Sequence, residues 1–187
     1  MASKIKVDQI QTADGTGTIA LQNQLSGMTS ASLPTGSVLQ VKQTMKTDTM
    51  TTTSTSWVDV TGLSVSITPS STSNKILVTV DLNMGQDSGF RAHGRVLRDS
   101  TAIAVGDAAG SRSPSTFASR SPDYGYVNNT SATILDSPST TSAVTYKVQV
   151  MSEHSSGNVY TNRSGWDTDN STYPRTVSII TVQEIAG

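Results

Sequence analysis

Apolar residues recur at every second position along much of this chain, the period of a strand with one dry face and one wet face. The clearest run is 75–82, where Ile76, Val78, Val80 and Leu82 follow that alternation after a Ser/Asn turn. Val144, Tyr146, Val148 and Val150 share one face of the run 143–151. The first of these runs belongs to a strand predicted over 74–84, and further strands are predicted over 37–46, 57–60 with 63–68, 90–98, 101–105, 131–135 and 175–185. Val159-Tyr160 starts another within 153–174, which otherwise reads as a long loop, as does the Gly/Ser/Pro/Arg-rich segment 106–125. No stretch carries a convincing amphipathic helical repeat. Many short strands at this spacing predict an all-β protein, an antiparallel sandwich or barrel with its recognition loops at the ends or sides.

The run 175–185 departs from simple alternation. Val177 and Ile179 fall on one face, Ile180 and Val182 on the other. A strand wetted on one side should not be apolar on both. One face can fill the sandwich core, and the other is expected to meet a second copy of the chain, so these four residues are predicted to form the seam of a homotrimer.

The chain divides near Leu33-Pro34-Thr35-Gly36 into an arm with its linker, 1–32, and a body, 33–187. In the arm, Ile5, Val7 and Ile10 mark one short strand and Ile19 and Leu21 a second, with an Asp14-Gly15 turn between them. Two short strands build no core of their own. The arm is therefore expected to dock on something else.

Composition narrows the function classes. Charged residues make up 14% of the chain, against about 25% in an average protein, while Ser and Thr supply roughly 30%. Threonine suits the wet face of a strand, so this is the composition of neutral polar sheets. A net charge of −1 gives no electrostatic footprint for nucleic acid. The absence of cysteine excludes disulfides and Cys-based zinc sites. The N-terminus lacks the apolar core of a secretory signal, and no apolar run is long enough to span a membrane as a helix.

Candidate chemistry is thin. His93 and His154 with abundant Ser and Asp permit a Ser-His-Asp triad on paper, but no Gly-x-Ser-x-Gly elbow accompanies them. Asp81, Asp87, Glu153, Asp167 and Asp169 are the acids from which a glycosidase pair would be drawn, and nothing in the spacing joins two of them. Asp167-Thr168-Asp169-Asn170 begins like a calcium loop but has Thr172 and Ser178 where that loop needs Gly and an acid, so a turn held by Asx side chains is expected. No catalytic residue, cofactor or metal ligand is assigned. Trp57 reads as an inner-face or edge anchor. Arg112, Arg120, Tyr160 and Trp166 lie in or beside the long loops and are the candidate recognition residues. The sequons at Asn128, Asn129, Asn162 and Asn170 would matter only in a eukaryotic secretory pathway.

The arm segment Lys4-Ile5-Lys6-Val7-Asp8-Gln9-Ile10-Gln11-Thr12, with Asp14-Gly15-Thr16-Gly17-Thr18-Ile19, resembles the N-terminal arm of virion proteins of tailed phages, particularly those of cyanobacteria and other marine bacteria. The body is similar to a domain of the same proteins. The likeness runs through Pro34-Thr35-Gly36-Ser37-Val38-Leu39-Gln40-Val41, Ser56-Trp57-Val58-Asp59-Val60-Thr61-Gly62-Leu63, Ile67-Thr68-Pro69-Ser70-Ser71 followed by Ser73-Asn74-Lys75-Ile76-Leu77-Val78, and the closing Val177-Ser178-Ile179-Ile180-Thr181-Val182-Gln183-Glu184-Ile185. Each motif is low in complexity, so order and spacing carry the likeness. The resemblance implies a jelly-roll-like sandwich that trimerises in the manner of tumour-necrosis-factor-like domains. It also implies a non-enzymatic place in the virion, as a tail or side fibre ahead of a capsid decoration protein. The expected partners are sister copies, other virion proteins through the arm, and a cell-surface glycan. A carbohydrate-binding module or a depolymerase are the other classes the residues leave open.

Overall fold

The computed structural model describes residues 33–187; the arm positions Ile5, Val7, Ile10, Ile19 and Leu21 lie outside them. Residues 34–187 form one compact unit of two antiparallel sheets, without a helix. The strands are β1 (Val38–Lys46), β2 (Met50–Thr52), β3 (Val58–Ile67), β4 (Lys75–Gln86), β5 (Arg91–Arg98), β6 (Thr101–Ile103), β7 (Phe117–Arg120), β8 (Asn128–Asp136), β9 (Val144–Ser152), β10 (Val159–Thr161) and β11 (Ser178–Ile185). The fold is an all-β, jelly-roll-like sandwich.

In the first sheet the long β4 is the spine. β8 pairs along one edge of it, and β11 and β10 share the other, flanked in turn by β1 and β2. The second sheet runs β3-β9-β5, with β6 and β7 dividing the far edge of β5. The two predicted pieces around Trp57–Leu63 are one strand, β3, whose pairing with β9 shifts register between Asp59 and Ser64. β11 starts at Ser178 rather than Arg175, because Arg175 is drawn into an ion pair in the preceding loop. β2 and β7 fall in stretches predicted as irregular. Both are very short, and in β7 only Phe117 points into the core.

The predicted alternation sets the core. Ile76, Val78, Val80 and Leu82 of β4 meet Val144, Tyr146, Val148 and Val150 of β9 across the sandwich, all buried. At this degree of burial a Val, Leu or Ile side chain contributes about 1.5–3 kcal/mol. Tyr146 is fully buried and its hydroxyl donates to Asp136 Oδ2 at 2.7 Å; Asp136 also accepts from Arg98. Burial, together with that carboxylate, pushes the Tyr146 phenol far above its usual range.

Ile180 and Val182 belong to this core and are 0% exposed. The predicted seam is therefore corrected: strand alternation separates Ile180 and Val182, which face the opposite sheet of the same chain, from Val177 and Ile179, which face outward.

A polar plug closes one end. Glu184, buried on β11, accepts from Gln40 Nε2 at 2.6 Å, from Ser70 N at 2.6 Å, from Ser70 Oγ at 2.8 Å and from Asn74 Nδ2 at 2.6 Å. Burial alone would raise the Glu184 carboxyl. The donated hydrogen bonds outweigh it and hold the group below the ordinary glutamate range. A carboxylate depressed in the folded state adds stability above its unfolded pKa and loses it as pH falls through the folded one. Urea midpoints are thus expected to fall from about pH 4 downward. A Glu184→Gln variant should be less stable at neutral pH and flatter across that acid range.

Candidate functional site

Three surfaces are distinctive. The first is the outer face of the β1-β11-β4-β8 sheet. The registers align Val41, Gln183, Leu77 and Leu135 in one row across it, Gln43, Thr181, Thr79 and Thr133 in the next, and Met45, Ile179, Asp81 and Ser131 in a third. Val41 is 54% exposed, Met45 51% and Leu135 60%. Among the outward residues of these four strands only Lys75 and Asp81 carry charge. The other sheet differs. Its outer face carries Asp59, Arg91, Arg95, Lys147 and Arg120, of which Asp59, Arg95 and Lys147 are tied by Arg95–Gln149, Gln149–Asp59 and Lys147–Asp59 hydrogen bonds. Trp57 lies half-buried beside that network, with the Arg95 guanidinium 4.4 Å from its ring centre, so the anchor sits at a sheet surface rather than in the core.

The second surface is a hollow of about 560 Å³ between the outer face of β5 and the loop 106–115, lined by His93, Asp107, Arg112, Ser115 and Glu153 among others. Here the chain comes closest to a triad, with Ser115 Oγ 3.4 Å from His93 Nδ1. The Ser115 hydroxyl, however, donates to Ser113 O at 3.0 Å, which directs its proton away from the imidazole. Glu153 accepts from the Arg91 backbone N–H at 2.8 Å and from its guanidinium at 3.0 Å. Burial, the largest single influence, raises the Glu153 carboxyl, but the hydrogen bonds and charge of Arg91 together outweigh it and hold the group low, the opposite of what a general acid needs. Of the other candidate acids, Asp81 is on the opposite sheet's outer face, Asp87 is buried, and Asp167 and Asp169 belong to the loop described next.

The third surface is built from the β7–β8 and β10–β11 loops. Trp166 is 47% exposed and Tyr126 51%. Tyr124 stacks beside Trp166 at 6.4 Å with the planes 9° apart, and Tyr173 meets Trp166 edge-on at 5.1 Å. Two glycines let the loops approach this closely. A Cβ on Gly85 of β4 would lie 2.4 Å from Arg163 O, and one on Gly165 would lie 2.8 Å from the Tyr124 ring. The loop is pinned from below by Asn162, which is buried with φ 62°, donates to Lys46 O and Asp48 O, and accepts from Ser178 Oγ. Buried in this way, Asn162 is no acceptor for a glycan despite its sequon. The Asp167–Asn170 segment is an Arg-braced turn: Asp167 pairs with Arg175 and, at 3.8 Å, with Arg163, while Asn170 Oδ1 accepts from Thr172 N at 2.9 Å.

The four predicted recognition residues separate. Trp166 is at the aromatic cluster and Arg112 at the His93 hollow, while Arg120 is on β7 with its Nε donating to Gly89 O. Tyr160 is corrected to a core residue. It is 7% exposed, its hydroxyl donates to Asp87 Oδ1 at 2.7 Å, and burial together with that carboxylate pushes its phenol up to about 12. Arg163 lies 4.1 Å over its ring, so Tyr160 supports the loop from beneath rather than meeting a ligand. Replacing it by Phe should cost about 1–3 kcal/mol in urea denaturation, since buried Asp87 loses a donor. Sequence reasoning missed Tyr124, Tyr126 and Tyr173; aromatics are 5% of the chain, and the available signal was that all three fall in or beside the segments read as long loops.

No family model matches the chain, and no curated protein matches it in sequence.

Proposed function

We propose that this chain is a non-enzymatic structural protein of a tailed-phage particle, an attachment protein of the tail or side-fibre type that docks through its arm and whose body forms a homotrimer. The phage assignment is supported by the ordered sequence motifs along arm and body. The self-association is supported by one observation above all: the two outer faces of the sandwich differ in charge. In a three-fold ring the residues nearest the axis are brought close to their own copies, so charge there is costly. The outer face of the β1-β11-β4-β8 sheet has the composition such an interface needs, mostly Val, Ile, Leu, Met and Thr, with two charges near its margins or middle rows. The occupants are the two sister copies, which meet this face around a three-fold axis, and Val177 and Ile179, not Ile180 and Val182, lie on it.

Sedimentation of the purified chain at micromolar concentration tests the assembly; a trimer is expected and a monomer refutes it. Immuno-labelled negative-stain images of particles test the location, with label on tail or side fibres expected. Label on the capsid would make it a decoration protein, and unlabelled particles would end the virion reading. A chain lacking residues 1–32 is expected to fold and trimerise yet fail to enter particles. Normal incorporation of that truncation would show that the arm is not the docking element.

A further inference from the structure

Trp166 and Tyr126 keep about half their surface in water although the loops that carry them are tightly built. Holding the loops together accounts for Tyr124, Tyr173 and the covered side of Trp166, but not for the exposed half of Trp166 or for Tyr126 beside it. Between Tyr126, Trp166 and Tyr173 lies a hollow of about 280 Å³, with Asp123 and Thr172 also lining it. Concave, ring-lined sites with a few polar groups are the usual form of a small-ligand site, which begins at about 300 Å³. A second hollow of about 290 Å³ adjoins it through Tyr173 and is lined by Asp167, Asp169, Asn170 and Arg175.

We propose that these adjoining hollows are a saccharide site, taking two successive neutral pyranose units, the first against Trp166 and Tyr126. A pyranose offers an apolar face of C–H bonds to an aromatic ring and a rim of hydroxyl donors to carboxylates and amides. Both halves are present. The rings supply the stacking surface. Asp123 spends Oδ1 on Gly125 N at 2.6 Å, and neither its other oxygen nor the Asp169 carboxylate has a partner among the described residues. Three carboxylates surround the hollows, and the Arg175 guanidinium is committed to Asp167, so uronic and sialic acids are disfavoured. A proline-rich peptide also docks on aromatic rings, but its carbonyls are acceptors and would face these carboxylates without donors. The inference deepens the attachment reading by giving it a ligand class, and it does not depend on the trimer.

The test uses the full chain with cellobiose, lactose, chitobiose and mannobiose as neutral probes, digalacturonate as the anionic probe and decaproline as the peptide. Binding is read by saturation-transfer NMR and by tryptophan fluorescence in a Trp57→Phe background. At least one neutral disaccharide is expected to bind, with Trp166→Ala and Tyr126→Ala each raising Kd about tenfold or more and Arg112→Ala leaving it unchanged. Tyr126→Ala is expected to keep the parent's urea midpoint, which separates lost contact from lost folding. Trp166→Ala also loses its Tyr124 and Tyr173 contacts, so its midpoint is expected to fall while its circular dichroism spectrum stays that of the folded parent. The site is refuted if no neutral disaccharide binds, if binding ignores both aromatic changes, or if digalacturonate or decaproline is preferred. Binding by a chain that never labels particles would end the attachment reading and keep the site. Labelled particles whose protein binds no probe would do the reverse.

Discussion

Val182→Asp is expected to unfold the body rather than to dissociate an assembly of folded copies. Val182 is fully buried on β11, between β1 and β4 and facing the opposite sheet, with no polar group assigned to receive a carboxylate. The aspartate must either ionise in an apolar surrounding or stay protonated at neutral pH, and both are costly. The loss should exceed about 4 kcal/mol, a large part of the 5–15 kcal/mol that holds a domain folded. Circular dichroism and urea titration read it directly. The control is Thr181→Asp, one residue away on the same strand but turned outward, which should change the stability of an isolated body by no more than about 0.5 kcal/mol. If Val182→Asp gave a folded monomer, the assignment of this side chain to the intrachain core would be wrong.

The second large effect is expected from Met45→Arg combined with Ile179→Arg. These residues are cross-strand partners on the outer face of β1 and β11, and Met45 is half exposed in the single chain. Two guanidinium groups there remove no core packing, so the urea midpoint of the separated body should barely move. In a trimer joined through this face they bring like charges together, each juxtaposition costing several kcal/mol. The dissociation constant should rise by about a hundredfold or more, visible as a shift from trimer to monomer in sedimentation. An unchanged trimer would move the interface off this sheet. Unfolding instead of dissociation would show that the outer face is needed within one copy.

The two predictions differ because one strand carries both roles, and that distinction shows how far the sequence could be read. The alternation in 75–82 and 143–151 was enough to predict β4 and β9, and it identified eight of their core side chains correctly. Burial on one face of a strand depends only on a two-residue period, which is a local property of the chain. The same period assigned Ile179 and Ile180 to opposite faces. It could not say which face was inside, since both are apolar and the answer depends on which sheet β11 joins and what lies across from it.

The candidate site was legible only in part. Trp166 stood out as a large aromatic in a polar loop. Tyr124 and Tyr126 are some forty residues away in sequence, and they reach Trp166 only because Gly85 lets two loops cross the end of β4. Tyr160 looked like a loop aromatic, but Asp87 and Arg163 hold it in the interior, and neither contact has a sequence signature. Nor does the bond set of Glu184, which joins β1, the β3–β4 turn and β11 across more than a hundred positions. Strand identity, composition and the all-β class follow from local chemistry and were determined by the sequence alone. Which apolar face is core, which aromatics converge and which carboxylate is buried were decided by the tertiary structure, because each depends on groups that only the closed sandwich brings together.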